Sequence, residues 1–348
     1  RIMPTTGTTL TEFLIAERRR HPNAGGTLNA LLLDIALACK TISKRVAFGL
    51  LNNFSGRRRG DSKLSIEANN TFLRAHESSG HLTGMLSEGM EKPHPFPDGT
   101  PTDEYLLIFD PLDGSSNVDV DVSVGSVFSI VRAPHPGEEP RENDFLQPGT
   151  EQVCAGYAIY GPATMFVLTV GTGVHGFTLD PQLGEFFLTH PWMKLPQETQ
   201  EFAINASNSR FWEPAVKRYV DECIAGTTGP REKDFNMRWI ASLVAEAHRV
   251  LIRGGVFLYP RDTKDPQKAG RLSLLYAANP ISFIIEQAGG TASTGRERLL
   301  DVEPHSLDQT IGFVFGSAEE VRVIEAYHEK EYGEEFDAPL FGGRGLYR

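Results

Sequence analysis

Leu28, Leu31, Leu32, Ile35, Cys39, Ile42 and Val46 recur at steps of three and four, so residues 27–46 read as an amphipathic helix with one stripe turned inward. A polar, glycine-bearing stretch at 52–62 interrupts the pattern, and residues 63–76 resume it before the glycines at 80 and 84. From Tyr105 onward the pattern shifts to short runs of Val, Ile, Phe and Tyr at 105–110, 124–131, 153–160, 164–170, 174–180 and 185–190, which read as strands. Past Pro196 the two periods alternate. Strands are expected at 202–207, 256–260 and 311–316, and helices at 239–252, 280–288 and 318–330. Asn279 is the expected N-cap of the 280–288 helix, with Pro280 in its first turn and Gly289 and Gly290 as its stop. Ser317 and Glu320 have capping-box spacing for the last helix. The chain therefore reads as a layered α/β protein in two halves, 1–195 and 196–335, followed by a tail at 336–348.

Composition narrows the function. With 348 residues, 40% of them hydrophobic, the chain can bury a full core. Its 45 acidic against 34 basic residues leave a formal charge of -11, which argues against a generic nucleic-acid binder and favours handling small anions with the help of cations. The 3 cysteines are scattered, with no CxxC, so reduced thiols are expected rather than a disulfide framework or a zinc site. No stretch approaches the uninterrupted apolar length of a membrane span. These features suggest the cytoplasm or an organelle matrix or stroma rather than secretion. Residue 1 is Arg, so removal of a leader stays open.

The chemistry concentrates in YLLIFDPLDGSSNVD at 105–119. A strand ending at Asp110 delivers its carboxylate to a sheet edge, and a turn brings Asp113 to the same point, where hard oxygens suit Mg2+. Gly114, Ser115, Ser116 and Asn117 follow at once, and amides and hydroxyls there can receive phosphate oxygens. In isolation a DxxD pair is more often an Asx turn between strands. The longer string is more specific.

FDPLDGSSNVDVDVSVGSVFSI at 109–130 resembles the signature of the fructose-1,6-bisphosphatase family. The resemblance continues in family order through FLQPG, AGYAIYGPATM, GVHGFTLDP, SLVAEAHR, GGVFLYP, LLYAANP and EQAGG. The tail APLFGGRGLYR is similar to the bacterial branch. The resemblance implies a tetrameric αβαβα fold, an N-terminal regulatory half, a C-terminal substrate half and Mg2+-assisted hydrolysis of the 1-phosphate of fructose 1,6-bisphosphate. It places Glu88, Asp110, Leu112 and Asp113 on metal, with Glu88, Asp110 and Asp113 as the retained catalytic acids. It also places Gly114, Ser115 and Ser116 on the 1-phosphate, and Asn205, Arg238, Tyr259 and Arg271 on the sugar and 6-phosphate, with Arg238 reaching a neighbouring subunit.

Several positions depart from the family pattern. Ser65, Gly89 and Ala277 stand where the family carries acids, and Asp61 sits in a shortened loop. Arg271 replaces a lysine, Leu243 a methionine, Asn208 a tyrosine and Ser273 an arginine. GTLN at 26–29 and Glu104 alter the nucleotide pocket, so inhibition by AMP is not expected. Losing one positioned acid or base typically costs about a hundredfold to ten-thousandfold. These losses lead to the expectation of an impaired or inactive protein with Mg2+ at reduced or absent occupancy, kept as a structural subunit, scaffold or sugar-phosphate binder. Its partners would then be itself, as a homotetramer or dimer, or a larger assembly. Glu67 and Glu91 are nearby acids, though Glu67 points round its helix from Ser65. The alternative is a working Mg2+-dependent bisphosphatase that uses Glu88, Asp110 and Asp113 on metal and Ser115 with Ser116 on phosphate. Arg18–Arg20 and Arg57–Arg59 read as solvated charge runs, and His248 as a packed helix residue.

Overall fold

The computed structural model describes residues 7–20, 26–49, 63–94, 96 and 103–330. Asp61, the arginines at 57–59 and the tail motif at 338–348 lie outside the described residues.

Strands β1 (Gly84–Ser87), β2 (Tyr105–Asp113), β3 (Val124–Arg132), β4 (Gln152–Tyr160), β5 (Thr164–Thr169), β6 (His175–Asp180) and β7 (Glu185–His190) form a 7-stranded sheet in chain order. Only the β1–β2 pair is parallel in it. Most of its residues are buried, because helices cover both faces. On one face lie α1 (Leu10–Arg20), α2 (Gly26–Ala47) and α3 (Lys63–His76), whose Leu31, Ile35, Ile42 and Phe72 pack with Phe109, Phe128 and Phe166 of the sheet. The ring of Phe72 stacks on Phe109 at 4.6 Å. By length and composition α2 qualifies as a membrane span, yet its apolar stripe is part of this core.

A short α4 (Glu142–Phe145) precedes β4, and the remaining elements build a second sheet. These are β8 (Glu201–Ile204), α5 (Pro214–Ala225), β9 (Asn236–Met237), α6 (Leu243–Arg253), β10 (Val256–Tyr259), β11 (Leu272–Ser273), α7 (Asn279–Gln287), β12 (Thr291–Ser293), β13 (Thr310–Ile311), β14 (Phe313–Gly316) and α8 (Ala318–Lys330). The 5-stranded order is β12-β14-β10-β8-β9, and β11 pairs separately with β13. Val127 and Tyr157 of the first sheet, Val244, Val250, Ile281 and Ile285 of α6 and α7, and Phe257 and Phe315 of the second sheet share one core. Beyond the second sheet, Val216, Tyr219 and Val220 of α5 pack with Val321 and Ile324 of α8. The stack is helices, sheet, helices, sheet, helices, which is the αβαβα layering expected.

Two local expectations need correction. Asn279 does not cap a free helix end, because the π-helical turn Leu274–Ala278 runs directly into α7. Glu320 turns away from a capping box. Its buried carboxylate accepts the Tyr219 hydroxyl at 2.7 Å and Arg231 Nη2 at 2.7 and 2.8 Å, tying α8 to α5 and the 231 loop. The three cysteines are free and buried, and His248 packs against Tyr157, whose hydroxyl lies 3.0 Å from its Nδ1.

His175 joins α1 to the first sheet, with its ring 4.7 Å from Phe13 and 4.6 Å from Trp192. Its Nδ1 accepts the Trp192 amide at 3.3 Å, which fixes the proton of the neutral ring on Nε2. Burial, with a smaller push from Arg20, lowers its pKa to about 4. The unfolded chain therefore takes up a proton near pH 6.5 that the folded chain refuses until about pH 4, and stability falls across that window as pH drops. Urea unfolding at pH 7 and pH 5 checks this. The acid loss should shrink by on the order of 1–2 kcal/mol in His175→Phe, and an equal loss in both proteins would refute it.

Candidate active site

Asp110 and Asp113 are an odd number of positions apart, so in a regular strand they would face opposite sides of the sheet. The ladder resolves this. Asp110 pairs with Val127 and Asp113 with Gly125, so three steps on β2 match two on β3 and a bulge carries the extra residue. Both carboxylates then face the side covered by α6. The sequence reading placed a turn after Asp110; the strand instead continues through the bulge to Asp113.

Helix α6 meets Asp113 with its N-terminus. The Val244 amide donates to Asp113 Oδ2 at 2.9 Å, and the Leu243 amide adds a second stabilising bond to the anion. Gly125 makes this approach possible, because a Cβ there would lie 2.4 Å from the Ala158 carbonyl oxygen and 2.7 Å from Val244 Cγ1. Gly114 follows at φ 74, a left-handed conformation that opens the 310 turn Ser115–Val120. Asn117 fastens that turn to the start of α6 by donating Nδ2 to the Ala241 carbonyl at 2.7 Å.

Glu88 completes the group from the neighbouring strand. It directly follows β1, and its amide donates to the Phe109 carbonyl at 2.9 Å, beside Asp110. Burial raises the Asp110 pKa well above the ordinary carboxylate value, and the charges of Glu88 and Asp113 raise it further. The Leu112 amide, 3.0 Å from Asp110 Oδ1, stabilises its anion. Asp113 rises to about 6, first through burial, with the α6 amides opposing. Every charged group that shifts Asp110 is thus another carboxylate. Such a concentration of oxygen charge, with no cationic side chain among the described residues acting on Asp110, fits a divalent cation. Among the described residues no three acids or histidines are already closed on one point, so a bound cation would have to draw these carboxylates together.

Glu88 also borders a cavity of about 720 Å3, with Gly89, Arg271, Ser273, Tyr276 and Asp308. Glu88 and Asp308 both raise the Tyr276 pKa after burial does, so the two acids act on one region. A second cavity of about 390 Å3 is bordered by Tyr259, Asp262, Lys268 and Arg271. Arg271 stands between the two. Asn205 lies in an adjoining crevice with Asn208 and Tyr259, and its Oδ1 accepts the Ser207 amide at 3.1 Å. Arg238 is held away from these cavities, 3.6 Å from Glu201 and half-exposed.

Of the three positions where acids were expected, only Gly89 borders the larger cavity. Ser65 lies in the first turn of α3, and Ala277 is buried in the π-helical turn. Glu91 and Glu142 border the cavity too, whereas Glu67 is engaged by Arg45 at 2.7 Å. At the nucleotide-pocket positions, Thr27 donates to Asp103 at 2.7 Å and Glu104 pairs with Arg132. Sequence reasoning missed Asp262, Lys268 and Asp308. The first two lie in the loop after the strand that ends at Tyr259, and extending the strand-end argument into that loop was the available signal. Asp308 sits in an aperiodic loop that offered none.

Similarity to known proteins covers the whole molecule. The N-terminal domain model of fructose-1-6-bisphosphatase matches residues 8–191, and the C-terminal domain model matches residues 195–329. A protein from Methylibium petroleiphilum named fructose-1,6-bisphosphatase class 1 3 is 64% identical over 99% of this chain and 99% of its own length. A class 1 fructose-1,6-bisphosphatase of Hydrogenophilus thermoluteolus is 59% identical over 98% of this chain and 97% of its own. That of Rhodospirillum rubrum is 53% identical over 100% of both. Among solved structures, the holo form of Leishmania major fructose-1,6-bisphosphatase superposes with a TM-score of 0.85 at 36% identity, covering 94% of this chain and 100% of that one.

These relatives correct the expectation of an inactive scaffold. Chains this similar over their full length carry the enzyme's name, and a tally of acids at three motif positions was too narrow a basis for the opposite conclusion. Folding brings Glu91, Glu142 and Asp308 to the cavity that Glu88 borders, which a residue-for-residue tally leaves out. The chain belongs to the fructose-1,6-bisphosphatase family.

Proposed function

We propose that this chain is a Mg2+-dependent fructose-1,6-bisphosphatase, a phosphoric monoester hydrolase that converts fructose 1,6-bisphosphate and water to fructose 6-phosphate and phosphate. The observation that carries this reading is the gathering of Asp110, Asp113 and Glu88 beside the Gly-Ser-Ser turn, where burial and then the charges of Glu88 and Asp113 raise the Asp110 pKa. In this reading Glu88, Asp110, Asp113 and the Leu112 backbone hold the cation, and Gly114, Ser115 and Ser116 receive the 1-phosphate. Asn205, Tyr259 and Arg271 hold the sugar and 6-phosphate, and Arg238 serves a neighbouring subunit of a homotetramer or dimer.

Bound Mg2+ would polarise phosphoryl oxygens and lower the pKa of a water molecule. The chain's own groups supply position. The α6 amides on Asp113 keep that carboxylate from swinging toward solvent, so the metal and phosphate subsites stay at a fixed separation. The Ser115 and Ser116 hydroxyls and the first amides of their turn present donors to the transferring phosphoryl group. The oxygen of water joins phosphorus as the bond to the C1 oxygen breaks, and that oxygen leaves with a proton. With Gly89 in place of a second glutamate, the cation is held weakly and the Mg2+ requirement lies high. Buried thiols with raised pKa values suit a reducing compartment, the cytoplasm or an organelle matrix or stroma.

Phosphate release from fructose 1,6-bisphosphate is expected in Mg2+, is stopped by EDTA, and falls about a hundredfold or more in Asp110→Asn. Absence of release at saturating Mg2+, or undiminished release by Asp110→Asn, would contradict the reading. Gly89→Glu should lower the Mg2+ concentration for half-maximal rate. At φ 83 a side chain there strains the backbone by about 1–2 kcal/mol, although a Cβ would meet nothing within 4 Å. An unchanged Mg2+ requirement would remove residue 89 from the surroundings of the cation.

A further inference from the structure

Arg271 and Thr310 border both cavities, and the guanidinium of Arg271 is not free. Asp262 Oδ2 accepts from its Nε at 3.3 Å and Asp262 Oδ1 from its Nη2 at 3.4 Å, with a closest approach of 3.2 Å. The Asp262 side chain is 7% exposed and the Arg271 side chain 33%. Asp262 is itself anchored, since its Oδ1 also accepts the Lys264 amide at 3.0 Å and its backbone bridges to Trp212. The carboxylate therefore grips one edge of the guanidinium from a fixed base. A guanidinium has a second edge, formed by Nη1 and the remaining Nη2 hydrogen, that can fork onto two oxygens of a phosphate.

We propose that Asp262 is a positioning residue that pins the Nε edge of Arg271 so that the opposite edge is presented to the 6-phosphate of the sugar substrate. This rests on the bisphosphatase reading above. It also gives a physical reason for arginine at a position where the family resemblance implies lysine. An ammonium is a single point charge, and beside Asp262 it would be drawn onto the carboxylate instead of serving two anions on two edges. Released from Asp262, the arginine recovers its rotamer freedom and must be ordered again by each phosphate it binds. Solvent around a one-third exposed guanidinium screens the charge that removing the aspartate would restore to it.

The test is a double-mutant cycle on Asp262→Asn and Arg271→Lys, read by steady-state KM and kcat for fructose 1,6-bisphosphate and by calorimetric Kd for fructose 6-phosphate. Asn at 262 keeps an oxygen for the Lys264 amide, so the loop anchor survives while the charge goes. Asp262→Asn should raise KM and Kd several-fold with kcat within about twofold, and Arg271→Lys should raise them about tenfold in the native background. In the Asp262→Asn background the added penalty of lysine should shrink to about threefold or less, because the ammonium is then free to reach the phosphate. An equal arginine-to-lysine penalty in both backgrounds, or an Asp262→Asn effect on kcat alone, would overturn the proposal. If the native protein binds fructose 6-phosphate with the expected coupling but releases no phosphate, the bisphosphatase reading falls and the positioning role stands.

Discussion

Two carboxylates close β2, Asp110 buried and Asp113 half-buried with the N-terminal amides of α6 on it, and much of the rest of the molecule serves that placement. Burial disfavours an anion, and Glu88 makes it worse for Asp110. Among the described residues, oriented amides from Leu112, Leu243 and Val244 oppose these effects. They suffice to leave Asp113 near 6, but Asp110 stays well above the ordinary range. In the proposed reading a divalent cation supplies the counter-charge, and the Gly-Ser-Ser turn that would receive phosphate begins at the next residue.

The layers explain how such a site is held. Gly125 lets α6 lie close on β3 directly opposite Asp113 in the ladder, so the helix N-terminus reaches the carboxylate. The same helix is tied to the second sheet through buried charge. Glu246 accepts the Ile240 amide and Arg249 Nη2, and Arg249 also donates to Glu201 at 2.7 Å at the start of β8. Glu201 is in turn the residue that Arg238 approaches. Asp113, the loop carrying Arg238 and the second sheet are thereby joined through one helix, and small movements of α6 would be felt at each.

Much of this was legible in the sequence. The helical spacing at 27–46 and the six strand runs from Tyr105 gave the layered architecture, and the DPLDGSS string marked the candidate site. The turn expected between Asp110 and Asp113 is instead a bulge within the strand, which has no signature there beyond Pro111. Capping rules failed at Asn279, where a π-helical turn joins the helix from behind, and at Glu320, where tertiary partners outcompeted the local box. The inference of lost activity failed for a deeper reason. It treated each acid as a fixed motif position, whereas electrostatics depends on what the fold gathers, and Asp308 joins Glu88 at one cavity from more than two hundred positions away in the chain.

Thermal unfolding with and without Mg2+ at constant ionic strength tests the central claim directly, in the native protein and in Asp110→Asn. A ligand that binds only the folded state raises Tm with concentration. Mg2+ should therefore stabilise the native protein, while Asp110→Asn, already relieved of its buried charge, should start from a higher Tm in the absence of metal and gain little. Equal Mg2+ shifts in both proteins, or no shift in the native one, would show that the buried carboxylates are not the seat of cation binding.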